Sequence, residues 1–251
     1  MLKTSVFVIS LPSAGARRER FLTRASLGNV PVEVVNAHTK PSSELFYDPK
    51  SALTAKGRTL HSAELGVYSS HFYIWRKIIR EDIEQAFIFE DDVVVDWTLL
   101  PEIASLRTHF TKLHYIRLFA KRPCRMKILT EQLRGGRCIV DYRGYAYGAQ
   151  AYFITRYAAE LLTGHCRTIR MAIDDEMDRS WEHGLPNLAI FPFPAFEENV
   201  PSTIGPDRFT VQTQASPWSP SRVQFRVADR SLRLKQQITG YGLVERLNAL
   251  K

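Results

Sequence analysis

Three consecutive carboxylates, Glu90-Asp91-Asp92, follow the apolar run Ala86-Phe87-Ile88-Phe89. Side by side they repel one another, and a cation between them relieves the repulsion. Hard oxygen ligands suit Mg²⁺ or Mn²⁺ rather than zinc. Such an ion can neutralise phosphate charge in a nucleotide substrate or leaving group. The plain alternative is an acidic strand-end turn facing water. A second cluster, Asp174-Asp175-Glu176, follows Met171-Ala172-Ile173. Acids at a helix N-terminus are favoured by its dipole, so simple capping competes with a role as general base or as partner of a substrate hydroxyl. At that position the dipole is expected to lower the pKa of Asp175 and keep it ionised. His71 reads either as a packed core histidine or as a site residue. Arg17, Arg18 and Arg20 follow the first apolar run, where they can meet phosphates or simply be solvated.

These groups need a scaffold, and the apolar pattern supplies one. Val6 to Ile9, Val32 to Val35, Ala86 to Phe89, Tyr115 to Phe119, Tyr147 to Thr155 and Leu188 to Phe191 read as strands. Between them, 14–27 reads as a helix capped by Ser13, and a helix capped by Ser62 runs to about Arg80. Leu65, Phe72, Trp75 and Ile79 recur along the latter at helical spacing. Further helices are expected over about 156–163 and from about Asp174. Residues 38–60 read as irregular and Gly135-Gly136 as a turn. Alternating strands and helices argue for a layered α/β domain. In open α/β sheets, sites lie at the carboxyl ends of strands, which is where Glu90-Asp91-Asp92 falls.

The chain has 251 residues, and 14 Phe, 10 Tyr and 4 Trp are enough for a sizeable core, which excludes a disordered or fibrous chain. A net charge of +8 favours polyanionic partners without choosing among them. Three scattered cysteines, Cys124, Cys138 and Cys166, fit a reducing compartment better than a disulfide scaffold. No run approaches a membrane span, and the opening apolar stretch is too short for a signal peptide; a cytoplasmic location is expected. Residues 217–251 hold seven Lys/Arg against two acidic residues, a net +5. Arg222, Arg226, Arg230 and Arg233 line one helical face, and Val223, Val227, Leu234 and Ile238 another. That pattern fits a membrane-surface helix or a solvated helix docked on the domain.

Taken in order, these segments resemble family 25 glycosyltransferases, the bacterial lipooligosaccharide biosynthesis group. The resemblance is carried by Val6 to Leu11 followed by Arg17-Arg18-Glu19-Arg20-Phe21, and by Ala63-Glu64-Leu65-Gly66 leading to Ser69-Ser70-His71 and Trp75. It continues through Phe89-Glu90-Asp91-Asp92-Val93 and Gly148-Ala149-Gln150-Ala151-Tyr152-Phe153-Ile154-Thr155-Arg156. Asp174-Asp175 with Trp181, then Pro194 and Ser202-Thr203-Ile204, complete it. It spans about residues 3–205 and leaves the basic tail outside.

The resemblance implies a GT-A-like α/β fold, a mixed central sheet flanked by helices, over residues 1–205, with 206–251 as a basic amphipathic appendage. It further implies inverting transfer of a hexose, often galactose from UDP-galactose, to a lipooligosaccharide or LPS core. Asp175 or Asp174 is then the base. Arg18, Glu64, His71, Glu90 and Asp91 contact the donor, and Asp92 with Glu90 holds Mn²⁺ or Mg²⁺. An anionic membrane surface, on the cytoplasmic face of the inner membrane, becomes the expected partner of the tail, and nucleic acid does not. Two rivals remain open at this point: a metal-dependent nuclease or phosphohydrolase whose two acidic clusters share ions, and a non-enzymatic basic module.

Overall fold

The computed structural model describes residues 3–106, 113–122, 124–198 and 214–239. Its strands, in chain order, are Thr4–Ser10 (β1), Glu33–Asn36 (β2), Phe46–Tyr47 (β3), Gln85–Glu90 (β4), Val93–Val95 (β5) and Tyr115–Arg117 (β6). Met126–Leu133 (β7), Arg137–Tyr142 (β8), Ala151–Thr155 (β9), Thr168–Ile169 (β10), Leu188–Phe191 (β11) and Ala195–Glu197 (β12) follow. The α-helices are Gly15–Leu27 (α1), Pro49–Lys56 (α2), Ser62–Arg80 (α3), Leu100–Ala104 (α4), Arg156–His165 (α5), Ile173–Asp178 (α6), Ser180–His183 (α7) and Pro220–Thr239 (α8). Eight strands form one mixed sheet in the order β2-β1-β4-β9-β6-β11-β8-β7. β2, β1 and β4 are parallel, and β9 lies antiparallel between β4 and β6.

Strand alternation sorts the side chains into two cores. Phe7 and Ile9 of β1 join Ala86 and Ile88 of β4 under α3 and α5, with Phe72, Trp75 and Tyr152. Val6 and Val8 join Phe87 and Phe89 on the other face, against Phe21 of α1 and Ile103 of α4. Both faces are covered, which is why β1 and β4 read as unbroken apolar runs rather than alternating ones. Each fully buried Phe contributes about 1.5–3 kcal/mol. By the same parity, Glu90 at the end of β4 falls on the α3 face.

Several local expectations are corrected. The N-cap of α1 is Ala14, with no side-chain cap, in place of Ser13. On α3 the cap is His61, not Ser62: its ring nitrogen accepts from the Ala63 amide, and Glu64 reaches back to the His61 amide. Residues 38–60 are not irregular throughout. They carry β3 and α2, the latter started by Asp48, which accepts from the Lys50 and Ser51 amides, and stopped by Gly57 at φ 78°. Strand β9 begins at Ala151, four residues later than expected. The expected Gly135-Gly136 turn is present and joins two unforeseen strands, β7 at the sheet edge and β8 inside it, with both glycines at positive φ. None of the three cysteines forms a disulfide.

The boundary placed at 205/206, and Ser202-Thr203-Ile204, lie outside the described residues. Within them the tail is tied back to the domain. The Ala215 amide donates to the Gly57 carbonyl, and Arg222 lies over Gly57, where a Cβ would overlap its guanidinium. Buried Asp229 of α8 accepts from Arg179 Nε at 3.2 Å, Trp181 Nε1 at 3.2 Å and Tyr145 OH at 3.1 Å. The helix therefore docks by its polar side. Val227 and Ile238 face outward, 61% and 80% exposed, beside exposed Arg226 and Arg230. No helix among the described residues is long and apolar enough to cross a membrane.

Candidate active site

The parallel register Ile9↔Glu90 sets Ser10 opposite Asp91 at the carboxyl ends of β1 and β4. Ser10 Oγ donates to Asp91 Oδ2 at 2.6 Å, and Arg17 Nη2 pairs with Asp91 Oδ1 at 3.0 Å. Burial nevertheless keeps the Asp91 pKa above its ordinary value, against the opposing pull of Ser10 and Arg17. Asp91 is thus a brace between two strand ends and α1. It fixes Arg17 at the rim of a cavity of about 280 Å³ lined also by Ala63, Ser70, His71, Glu90 and Asp92.

His71 is fully buried. The Tyr152 hydroxyl lies 2.9 Å from its Nδ1 and accepts from Trp75 Nε1 at 3.0 Å. With Trp75 donating to it, Tyr152 has its own proton free for Nδ1. That assignment puts the histidine's proton on Nε2. Nε2 has no hydrogen-bond partner and lies 3.6 Å from Glu90 Oε1. Asp92 Oδ1 is likewise buried and without a hydrogen-bond partner. Burial first, then the neighbouring charges of Glu90 and Glu197, pushes the Asp92 pKa up to about 7. An unpaired, buried carboxylate oxygen beside a second acid is the arrangement a divalent cation relieves. Among the described residues no group of three or more His, Cys, Asp or Glu could hold a metal by itself. Glu90 and Asp92 therefore fit the role of two protein ligands to an ion whose other ligands come from phosphates, a common Mg²⁺ arrangement.

The second acidic cluster organises a turn. Asp174 accepts from the Gly148 and Asp175 amides at 3.1 and 3.0 Å. Asp178 accepts from the Tyr147 amide at 2.8 Å and is paired with buried Arg117, also at 2.8 Å. These bonds hold Tyr147 at φ 56° and Gly148 at φ 84°. For Tyr147 the left-handed region is costly and needs such anchoring. Two residues on, the Gln150 carbonyl accepts from the Glu90 amide at 2.8 Å. One short segment, no more than about 7 Å from Gly148 to Gln150, is thereby held by both acidic clusters.

Asp175 lies at the edge of this turn, buried and paired with Lys56 Nζ at 2.7 Å. Its pKa is pushed up to about 7, by burial first and then by Asp174. The expectation that the helix N-terminus lowers it is corrected: α6 has six residues and no side-chain cap, and desolvation outweighs its dipole.

Of the sequence-predicted site residues, His71, Glu90, Asp91 and Asp92 line one cavity. Arg18 does not: it bonds Ser10 Oγ, the Leu11 carbonyl and Asn36 Oδ1, and its neighbour Arg17 takes the cavity wall. Glu64 does not either, because its oxygens are engaged by Arg58, at 2.6 and 2.7 Å, and by the His61 amide. Sequence reasoning missed Lys56, Tyr152 and the Arg117–Asp178 pair. For Tyr152 a signal existed in the motif from Gly148 to Tyr152. Lys56 sits on the unforeseen α2, and a buried arginine has no sequence signature.

The chain matches the family described as "Glycosyltransferase family 25 (LPS biosynthesis protein)" over residues 3–177. It is 31% identical over 175 residues to the "Lipooligosaccharide biosynthesis protein lic2B" of Haemophilus influenzae, covering 63% of this chain and 62% of that protein. Against the "Probable inactive glycosyltransferase 25 family member 3" of Bos taurus it is 28% identical over 186 residues, 68% of this chain but 30% of the relative. The chain thus spans less than two thirds of these relatives. A solved glycosyltransferase involved in glycosylation of the major capsid of PBCV-1 aligns over 63% of this chain and 62% of its own, with 11% identity and a TM-score of 0.32.

Proposed function

This chain belongs to glycosyltransferase family 25, and from that premise we propose that it transfers a hexose, galactose from UDP-galactose, to a lipooligosaccharide or LPS core acceptor. The observation that carries the reading is the unpaired, buried Asp92 Oδ1 beside Glu90 in a cavity at the strand ends. There Mg²⁺ or Mn²⁺, held by Asp92 and Glu90, would supply charge neutralisation for the departing diphosphate. Arg17 lies on the same wall and adds a fixed positive charge for the donor phosphates. His71 Nε2–H offers a donor whose direction is set by Tyr152 and Trp75.

Inversion requires a single displacement. The acceptor oxygen bonds to the anomeric carbon on the face opposite the diphosphate. The bond from that carbon to the diphosphate oxygen breaks, and the acceptor proton passes to Asp175. Lys56 keeps Asp175 available in its ionised form near neutrality. The two-ion nuclease reading is disfavoured, because in the cluster Asp174-Asp175-Glu176 it needs, Asp174 is committed to the amides of Gly148 and Asp175, and Glu176 to Arg170 and His165.

A screen of UDP-sugars for acceptor-dependent UDP release, with and without Mn²⁺, tests the proposal. UDP-galactose with a lipooligosaccharide core is expected to give metal-stimulated release. Phosphodiester hydrolysis in place of sugar transfer would reverse the assignment.

The outward face of α8 supports a further part of the reading, contact with an anionic bilayer. The net +5 of residues 217–251 supplies attraction of about 1 kcal/mol per basic residue near such a surface, and Val223, Val227, Leu234 and Ile238 insert shallowly. Val227→Ser/Ile238→Ser is expected to weaken binding to anionic liposomes and slow transfer to lipid-linked acceptor. Transfer to a short soluble acceptor survives. Equal loss on both acceptors with unchanged liposome binding would assign the stripe a structural role.

A further inference from the structure

A second cavity, also of about 280 Å³, lies between the domain and α8. The domain contributes Lys56, Tyr145, Tyr147 and Asp175; the helix contributes Phe225, Arg226, Arg230 and Arg233. Its charge is unbalanced. Of its two acids, Asp175 is held by Lys56 and Asp229 by Arg179. Arg226 and Arg230 form no ion pair with the described residues, although Arg226 Nη2 donates to the Pro217 carbonyl at 2.5 Å. The rings of Tyr145 and Tyr147 stack at 5.6 Å and 22°, and both are only partly buried. Arg122 lies 5.0 Å over Tyr147, and Arg233 lies 5.7 Å over Tyr145. The ring faces are thus covered, which leaves the exposed ring margins and hydroxyls of the two tyrosines, beside an acid that can take a hydroxyl proton, to meet a sugar. Two arginines without acidic partners suit a phosphate or carboxylate, which each can grip through two parallel N–H donors.

We propose that this cavity is the acceptor subsite, and that Arg226 and Arg230 select a saccharide bearing a phosphate or carboxylate group. The assignment of the sugar as acceptor rests on the transferase reading above; the anion selectivity does not. Half of the subsite comes from a helix that lies beyond residues 3–177, the part matching the family.

Calorimetric titration of the full chain with glucose, glucose 6-phosphate and glucuronate tests this. Both anionic sugars are expected to bind at least tenfold more tightly than glucose, and added salt weakens them alone. Arg226→Gln/Arg230→Gln removes the tenfold preference, and Arg226→Lys/Arg230→Lys keeps part of it while controlling for folding. Equal binding of glucose and glucose 6-phosphate to the unmodified chain would overturn the proposal. So would unaltered glucose 6-phosphate binding by the glutamine variant. A phosphatidylglycerol-vesicle arm separates the two sources of phosphate: a glutamine variant that loses only vesicle binding assigns the arginines to lipid and also overturns it. If the sugars bind as expected but no UDP-sugar is turned over, the transferase reading fails and the anion site stands.

Discussion

Asp175→Asn is expected to lower kcat for sugar transfer by about 10²–10⁴-fold, the usual worth of a general base, while largely sparing donor affinity. The carboxyl is buried, faces the α8 cavity and is held by Lys56. Its pKa of about 7 puts the acid limb of the profile near neutrality: activity climbs as pH rises through 7 and then levels. Stability moves the opposite way. The folded carboxyl holds its proton up to about pH 7, whereas an unperturbed one releases it near 3.8. Between those limits the native state binds more protons than the unfolded chain, so lowering the pH through the window stabilises the fold. In Asp175→Asn this contribution disappears, and so does the share of the acid limb that Asp175 supplies beside Asp92. Normal transfer by the variant, measured as UDP release in the presence of acceptor, would move the role of base elsewhere.

Asp92→Asn is expected to reduce transfer by about 10³-fold or more, in line with removal of a principal partner of transition-state charge. It should also abolish stimulation by Mn²⁺. The amide keeps the shape and removes the charge that makes Asp92 Oδ1 costly to leave alone in the cavity. Calorimetry of UDP binding with and without Mn²⁺ separates the two effects: the unmodified chain gains affinity from the metal and the variant does not. Full activity in excess chelator, or in the variant, would sink the metal assignment.

Why some of this was legible in the sequence follows from burial. β1 and β4 are covered on both faces, so their runs are unbroken and their ends conspicuous. Glu90-Asp91-Asp92 could be placed at a strand end for that reason alone. β7 escaped because polar residues such as Lys127 and Thr130 interrupt an edge strand, and β8, though covered on both faces through Ile139 and Val140, escaped because its apolar run Cys138-Ile139-Val140 is only three residues long. In α2, Pro49 lies within the stretch whose sequence reads as irregular. After Asp48 and before Gly57 it is a start signal, since a first-turn proline loses no helical hydrogen bond. The choice between Arg17 and Arg18 depends on a rotation of about 100° per helical residue, finer than periodicity resolves. The sense of the Asp175 shift was misjudged because a dipole can be inferred from sequence and desolvation cannot. The basic stripe of α8 was found correctly, but which face meets the domain depends on Arg179, Trp181 and Tyr145, far away in the chain.

The polar docking of α8 carries a thermal consequence. Heat capacity of unfolding comes from apolar surface newly hydrated, and this seam is made chiefly of carboxylate, guanidinium, phenol and indole groups bonded to one another. Apart from the rings of Tyr145, Trp181 and Phe225, separating it hydrates polar groups, which offset the heat capacity of apolar exposure, so its free energy curves less with temperature than that of either core. The two cores around the sheet follow the curved profile of hydrophobic burial and weaken on cooling. Helix and domain thus respond to cold by different laws: the sheet's grip slackens while the wall of the second cavity stays in place.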